Sequence, residues 1–188
     1  MLILASASPR RRELLTQAGF EFSVQPADIP EDPFRDEDPI AYVTRLAREK
    51  AEAVYAQRCG SDATVQVLGA DTTVTLDNQL LGKPENAEDA ARMLRVLSGR
   101  THRVITGVSL VTAARTQVAA EVTAVQFLSL SEEEIRHYIA TGEPMDKAGA
   151  YAIQGYAARW IPRIHGCYFN VVGLPISLVS TLLECAPR

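Results

Sequence analysis

Two carboxylates and five cationic side chains are the residues of this sequence whose types suit chemistry on a phosphate chain. Asp71 interrupts an apolar run, and Glu31 lies in a segment rich in proline and acidic residues. Carboxylates can hold a divalent cation and activate water, while guanidinium and ammonium groups offset phosphate charge. The set therefore fits metal-assisted attack on a phosphate chain, and its cations are Arg10, Arg11, Arg12, Lys50 and Lys83.

The stretch from Leu2 to Leu15 has the pattern of a strand, a tight turn and a helix start. Ser8 is a good N-cap, and Pro9 is favoured at the first helical position. Three arginines then repel the positive end of the helix dipole, and a bound polyanion would reverse that repulsion. A solvated basic face that needs no ligand is the alternative, so this stretch alone leaves phosphate binding open.

Asp71 is the acidic residue whose position most needs an explanation. It lies inside the run from Val65 to Leu76, which predicts a strand. A buried carboxylate is costly unless it is paired, hydrogen-bonded or bound to a metal. The small residues Gly69 and Ala70 before it indicate the close approach of another backbone or a ligand. The alternative is an aspartate satisfied by neighbouring backbone N–H groups, and we favour a functional role.

The signals from Lys50, Lys83 and Glu31 are weaker when each residue is taken alone. Lys50 falls on or beside the apolar stripe of a predicted helix, where a lysine more often snorkels outward than reaches into a site. Lys83 follows a glycine, but Pro84 stands where a phosphate loop needs serine or threonine. An acidic loop such as the one around Glu31 is most simply a solvated loop.

Several common kinds of active site do not match the sequence. The three histidines are scattered and lack the spacing of a zinc site or a catalytic triad. The patterns GxGxxG and GxSxG do not occur. The three cysteines, Cys59, Cys167 and Cys185, form no CxxC pair, which predicts reduced thiols rather than disulfides or a zinc knuckle.

Length and composition predict a single domain, residues 1–188, with 47% apolar residues available for its core. The net charge of −4 argues against broad adhesion to nucleic acid or membrane. No apolar run approaches the ~20 residues of a membrane span, and the N-terminus lacks the charged n-region and long apolar h-region that a signal peptide needs. We therefore expect a cytoplasmic protein with neither nucleic acid nor membrane as a partner.

The order of predicted elements indicates an α/β fold with a mixed sheet. Two long alternating segments, joined near Ala113-Ala114, predict an antiparallel pair. Strands are predicted at Leu2–Ala5, Phe20–Val24, Val65–Leu76, Val104–Val111, Val118–Leu128 and Arg159–His165. Helices are predicted to begin at Pro9, Ala41, Ala87, Ser131 and Ile176.

With these stretches assembled, the chain resembles the Maf family of nucleoside triphosphate pyrophosphatases over nearly its whole length. The segment DKAGAYAIQG is most similar to the branch that hydrolyses dTTP and UTP. Ala152 and Cys167 stand where glycine and serine are expected, and Arg12 extends the usual arginine pair to three. The resemblance rests on ordered blocks: LASASPRRRELL, RLAREKA, LGADTTV, GKP, LSGRTHRVITGV, GEPMDKAGAYAIQG and NVVGLP.

The resemblance implies an inosine-triphosphatase-like fold, with a long curved mixed sheet, flanking helices and two lobes around a cleft. It also implies a divalent cation, Mg²⁺ or Mn²⁺, a homodimer, and hydrolysis of a nucleoside triphosphate to the monophosphate and pyrophosphate. Asp71 matches the family's catalytic base, and Glu31 and Asp71 match its metal-binding carboxylates. The phosphate-binding positions correspond to Ser8, Arg11, Lys50 and Lys83, to which we add Arg12.

Three further positions, Arg10, Thr72 and Gln154, match those associated with substrate selectivity in the family. The Gln154 amide both donates and accepts, so it can match two adjacent groups on the imide edge of uracil or thymine. Cytosine lacks the imide N–H, and relatives that prefer 7-methylguanosine triphosphate carry an acid at this position. The sequence therefore predicts UTP and dTTP as better substrates than CTP. The alternative is that Gln154 only ties its loop to the backbone.

Three other functions remain open at this point. One is a nucleotide-binding regulator of cell division and septum formation, and another is a pyrophosphatase for 7-methylguanosine triphosphate. The weakest is a module that binds single-stranded RNA, because the few aromatic residues offer no stacking platform. Only the enzymes need a carboxylate at the reacting phosphate, and Asp71 favours them.

Overall fold

The computed structural model describes residues 1–58 and 64–184. The sequence also predicts that the helix beginning at Ala41 ends at Gly60-Ser61-Asp62. These three residues, Cys59 and Cys185 lie outside the described residues. The strands are β1 Leu2–Leu4, β2 Phe22–Val24, β3 Gln66–Leu76, β4 Gln79–Leu81, β5 Thr101–Val111, β6 Thr116–Gln126 and β7 Arg163–His165. The helices are α1 Pro9–Gln17, α2 Pro39–Arg58, α3 Ala87–Leu97, α4 Glu132–Ala140, α5 Tyr168–Val172 and α6 Ile176–Glu184.

The strands form one mixed sheet in the order β2-β1-β3-β5-β6-β7, with β4 also paired to β3. β1 lies parallel to both β2 and β3, whereas β4 is antiparallel to β3 and β7 is antiparallel to β6. β5 and β6 are neighbours joined by the short turn at 112–115, a connection that suits only an antiparallel pair. The α/β fold with a mixed sheet is confirmed.

One predicted strand was wrong in detail, and one short helix was not predicted. The strand predicted over Arg159–His165 is reduced to Arg163–His165, because Tyr156–Trp160 forms a 3₁₀ helix that buries Ala157 and Trp160. The short helix α5 was not predicted, since five residues are too few to show a helical period. Two further 3₁₀ helices, Glu143–Asp146 and Ala148–Ala150, precede the first of these segments.

The described chain divides into two compact units, and β3, β5 and β6 contribute residues to both. Of the described residues, the first unit comprises 1–58, 64–72, 106–121 and 173–184, and the second comprises 73–105 and 122–172. The core of the first unit includes Ile3, Val54 and Val67. The core of the second is built around Leu94, Phe127, Tyr138, Tyr151 and Trp160.

Helix α2 lies directly against β3 and β5 because each strand has a glycine at the contact. A Cβ atom on Gly69 would overlap the carbonyl oxygen of Ala47, and one on Gly107 would overlap that of Val43. The small residue before Asp71 therefore admits a neighbouring backbone, which is one of the two possibilities that its position indicated. This packing places the buried face of α2, with Lys50, beside β3.

None of the described helices is long and apolar enough to cross a lipid bilayer.

Candidate active site

Lys50, Asp71 and Glu31 form a charged cluster in the first unit, which we call the Lys50 cluster. The Nζ atom of Lys50 lies 2.7 Å from Oδ1 of Asp71 and 2.6 Å from Oε1 of Glu31. Lys50 comes from α2, Asp71 from β3 and Glu31 from the loop before α2. Because Lys50 is only 8% exposed, its side chain reaches into a site rather than outward to solvent. The expectation that a lysine at this position snorkels outward is therefore wrong for Lys50.

The Asp71 carboxylate is buried and has a single hydrogen-bond donor among the described residues, Lys50. No backbone N–H group of the described residues bonds to the Asp71 carboxylate, so the alternative of an aspartate satisfied by the backbone does not hold for them. Burial raises the pKa of Asp71, and attraction to Lys50 and Arg11 offsets only part of that rise. A carboxylate with a raised pKa and an oxygen without a hydrogen bond is suited to accept a proton from water.

Side chains of α2 hold the loop that carries Glu31. The hydroxyl of Tyr42 donates to the Glu31 carbonyl at 2.8 Å. Arg45 forms a two-pronged ion pair with Glu37 at 2.7 and 2.8 Å, and its guanidinium lies 4.0 Å from the centre of the Phe34 ring. The hydrogen bond to Arg45 lowers the pKa of Glu37. Glu31 is half-exposed, yet it is a member of an ordered ion pair rather than a simply solvated acid.

Sequence reasoning missed Tyr42 and Arg45 as supports of the site. Both lie on α2, which also carries Lys50, and Arg45 belongs to the block RLAREKA. A cation, an aromatic residue and an acidic loop close together in sequence could have indicated this arrangement. Nothing in their spacing predicts that Tyr42 would hold the Glu31 carbonyl or that Arg45 would hold the Glu37 carboxylate.

Arg11 is buried and joins several backbone segments of the first unit. Its guanidinium donates to the carbonyls of Gly173 at 2.9 Å and Ala70 at 2.8 Å, and to the hydroxyls of Ser6 at 3.0 Å and Thr72 at 2.9 Å. Arginine has five N–H donors, so these four bonds leave one for a ligand. Burial lowers the pKa of Arg11. The structure thus gives Arg11 an organising role, and phosphate binding by Arg11 stays a prediction.

The start of α1 has the predicted cap. The hydroxyl of Ser8 accepts a hydrogen bond from the Arg11 N–H at 3.4 Å, and Pro9 is the first helical residue. Arg10 is partly exposed and Arg12 is exposed. The Arg12 guanidinium makes no hydrogen bond or ion pair with any residue that the structure describes, so it is available to an anion.

Thr72 directly follows Asp71, and its hydroxyl is held from several sides. It accepts from Arg11 at 2.9 Å, and it lies 2.9 Å from the hydroxyl of Thr106 and 3.3 Å from the carbonyl of Gly173. These bonds leave the threonine little freedom to turn toward a ligand. The predicted role of Thr72 in selectivity stays a prediction.

Lys83 and Gln154 belong to the second unit. Both side chains are exposed, and neither bonds to another residue within 1–58 or 64–184. The segment that carries Lys83 is tied down by its neighbour, because the Gly82 carbonyl accepts from the Gly149 N–H at 3.0 Å. The Gln154 amide makes no hydrogen bond to the described residues, so the alternative that it only ties its loop to their backbone is wrong.

The donor set near Lys50 suits a hard divalent cation, but only in part. Lys50 contacts one oxygen of each carboxylate, which leaves Oδ2 of Asp71 and Oε2 of Glu31 without a hydrogen bond from the described residues. No group of three or more His, Cys, Asp or Glu side chains in the described part of the chain could hold a metal. Magnesium sites commonly combine one or two carboxylates with water and substrate phosphates, and the residues present fit that pattern.

Comparison with known proteins supplies the family. The model of the Maf-like protein family matches residues 1–186. The chain belongs to this family. A relative named dTTP/UTP pyrophosphatase, from Koribacter versatilis, is 54% identical over 98% of this chain and 94% of its own length. Another of the same name, from Moorella thermoacetica, is 53% identical over 97% of this chain and 93% of its own length.

A solved structure supports the fold independently of sequence. The Staphylococcus aureus Ham1 protein aligns with a TM-score of 0.54 over 97% of each chain, at 14% identity. At that identity the likeness concerns the fold alone. The expectation of a fold shared with the inosine triphosphatase group is confirmed.

Proposed function

We propose that this Maf-like protein is a nucleoside triphosphate pyrophosphatase that hydrolyses dTTP and UTP to the monophosphate and pyrophosphate. The observation that carries the proposal is the buried carboxylate of Asp71, paired with Lys50 and lying next to Glu31 in the same cluster. Its relatives at about 50% identity carry the name dTTP/UTP pyrophosphatase. A protein that only bound nucleotides would not need a buried base with a raised pKa.

The chemistry is attack by water at the α-phosphorus. The water oxygen bonds to phosphorus while Asp71 accepts a proton from that water molecule. The bond from the α-phosphorus to the bridging oxygen breaks, and pyrophosphate leaves with the bonding electrons. The cationic side chains offset the phosphate charge, most strongly in the transition state, and we assign this role to Arg11, Arg12, Lys50 and Lys83. The hydroxyl of Ser8 and the helix start would bind the phosphates as neutral hydrogen-bond donors.

A divalent cation, Mg²⁺ or Mn²⁺, is part of the proposal. Glu31 and Asp71 would hold it through the carboxylate oxygens that Lys50 leaves without a bond. When bound, the cation shares the charge of the phosphates and of the leaving pyrophosphate. We expect excess chelator to abolish turnover and added Mg²⁺ or Mn²⁺ to restore it, and full activity in chelator would contradict the metal requirement.

Gln154 is the proposed reader of the base, together with Arg10 and Thr72. Its amide is exposed and has no partner among the described residues, so both its donor and its acceptor are available. Uracil and thymine present an acceptor next to a donor, which an amide can pair with on two adjacent groups. Thr72 is too short to exclude the thymine methyl group, so we propose both UTP and dTTP as substrates.

The experiment is a screen of pyrophosphate release from UTP, dTTP, CTP and 7-methylguanosine triphosphate. We expect UTP and dTTP to be hydrolysed well above the other two. Gln154→Glu replaces the amide by an acceptor only and should sharply lower turnover of UTP and dTTP. Gln17→Glu, which adds the same charge at an exposed residue of α1, is the matched control. Unchanged pyrimidine turnover in Gln154→Glu would remove Gln154 from base recognition.

The homodimer and the cytoplasmic location remain predictions from the family resemblance and the composition.

A further inference from the structure

Gln154 lies in a short turn of the second unit, residues 152–155, which we call the Gln154 turn. The turn is closed by a hydrogen bond from the Gly155 N–H to the Ala152 carbonyl at 3.1 Å. The Gln154 side chain does not contribute to holding it, because the amide has no partner among the described residues. Something else must therefore set the direction in which this amide points.

One phenol and one carboxylate hold both ends of the Gln154 turn. The hydroxyl of Tyr138 accepts from the Ala152 N–H at 3.2 Å and donates to Oε1 of Glu143 at 2.9 Å. Oε2 of Glu143 accepts from the Tyr156 N–H at 3.3 Å. The amides two residues before and two residues after Gln154 are thus bound to a single Tyr138–Glu143 pair.

The pair fits tightly against the turn. A Cβ atom on Gly155 would overlap the Glu143 carboxylate, so the backbone can approach the carboxylate only at a glycine. Tyr138 is fully buried, and its ring packs edge-on against Trp160 at 5.1 Å and stacks on Tyr156 at 5.6 Å. Burial raises the pKa of Tyr138 and its bond to Glu143 raises it further, so the hydroxyl stays protonated and can donate at neutral pH.

We propose that Tyr138 and Glu143 are positioning residues that hold the Gln154 turn and thereby set the selectivity for the base. This inference rests on the proposed function, in which Gln154 pairs with uracil or thymine. Neither residue touches the reacting phosphate in this account, so the effect falls on discrimination between bases rather than on the chemical step. The pair also explains why Gln154 can keep both amide groups for a ligand.

The test compares Tyr138→Phe with wild type for UTP and CTP, with kcat and KM measured separately by pyrophosphate release. The substitution keeps the ring and removes the hydroxyl that links Ala152 to Glu143. We expect the ratio of kcat/KM for UTP over CTP to fall about threefold to tenfold, the value of one or two neutral hydrogen bonds, mainly through KM for UTP. Tyr168→Phe is the matched control, because that exposed phenol bonds to no described residue.

A second background separates positioning from general loosening of the protein. Tyr138→Phe should leave the UTP-to-CTP ratio unchanged when Gln154 is already replaced in Gln154→Ala, because no amide remains to be positioned. An equal loss of selectivity in both backgrounds would overturn the inference. If Tyr138→Phe fails to fold, Glu143→Gln replaces one acceptor of the pair by a donor and takes its place in the same comparison.

The outcomes distinguish this inference from the proposed function. A wild-type protein that releases pyrophosphate selectively from UTP, with Tyr138→Phe and Glu143→Gln equally selective, overturns the positioning role and leaves the proposed function intact. A wild-type protein that releases no pyrophosphate from UTP or dTTP overturns the proposed function, and the inference with it.

Discussion

At the scale of single residues, Asp71 is the proposed catalytic base, and its replacement by asparagine is the direct test of that role. Asp71→Asn keeps the shape of the side chain but cannot accept a proton from water. We expect turnover to fall by ~10² or more, while nucleotide binding persists because the cations remain. The measurement is pyrophosphate release, with binding followed by calorimetry.

The matched control for Asp71→Asn is Asp77→Asn. Asp77 is exposed in a turn with a positive φ of 51°, a conformation that asparagine also tolerates. We expect this control to keep wild-type turnover. A well-folded Asp71→Asn protein with near-normal turnover would remove Asp71 from the mechanism.

His102 gives a second prediction at the residue scale, on stability. It is buried, its Nε2 lies 2.7 Å from the Tyr151 hydroxyl, and burial lowers its pKa to about 3. The folded protein therefore keeps His102 neutral, whereas the unfolded chain binds a proton below the usual value near pH 6.5. Its contribution is complete above that pH and is lost as the pH falls. Between pH 7.5 and 5 we expect a loss of about 2 kcal/mol in the free energy of unfolding.

Denaturant unfolding at several pH values measures this loss. His102→Gln removes the titrating group, so its free energy of unfolding should fall less steeply between pH 7.5 and 5 than that of wild type. His165→Gln, at an exposed position, should keep the wild-type slope. An identical pH dependence in His102→Gln and wild type would show that His102 is not held neutral by burial.

Local rules predicted some residues of the site and not others. Ser8 and Pro9 follow from the preferences of a helix start and are found at the cap and first position of α1. The pairing of Lys50 with Asp71 could not be predicted, because a helical period places a lysine on a face but does not say what faces it. The bonds of Arg11 to Ala70 and Gly173 connect residues far apart in sequence, which no local pattern encodes.

At the scale of elements, the approach of α2 to the sheet depends on Gly69. In Gly69→Ala the new methyl group would overlap the Ala47 carbonyl, so helix and strand must separate. Overpacking of this kind costs about 1–3 kcal/mol in the free energy of unfolding. We also expect lower pyrophosphate release, because α2 carries Lys50.

Gly82→Ala is the control for this change in the unfolding measurement. A Cβ atom there would meet no other atom within 4 Å, so the free energy of unfolding should change by less than about 0.5 kcal/mol. Equal stabilities of Gly69→Ala and wild type would contradict the tight packing of α2 on β3.

The elements themselves were predictable where their patterns are long. The eleven-residue strand β3 and the long helix α2 have clear periods and lie where the sequence predicts them. The strand predicted over Arg159–His165 begins too early, because Arg159 and Trp160 belong to the 3₁₀ helix Tyr156–Trp160. The buried residues of that helix, Ala157 and Trp160, lie three residues apart, a spacing that so short a run does not reveal. The Gln154 turn depends on Tyr138 and Glu143 from other segments, and its support was therefore invisible in its own sequence.

At the scale of the whole molecule, the ordered sequence blocks indicate the family more specifically than any single motif does. The family model matches residues 1–186, and the Ham1 protein supports the same fold at low identity. Composition alone indicates an acidic protein with enough apolar residues for a core, and it indicates no particular reaction. Two of the blocks contain Asp71, the proposed general base, and Gln154, the residue proposed to recognise the nucleobase.

In the mechanism we propose, water attacks the α-phosphorus of UTP and dTTP, and pyrophosphate is the leaving group. Hydrolysis in isotopically labelled water, followed by mass spectrometry of the products, tests this mechanism. We expect UMP or dTMP and pyrophosphate as the products, with the label in the monophosphate alone. Label in pyrophosphate, release of UDP and inorganic phosphate, or no turnover in the presence of Mg²⁺ and Mn²⁺ would contradict it.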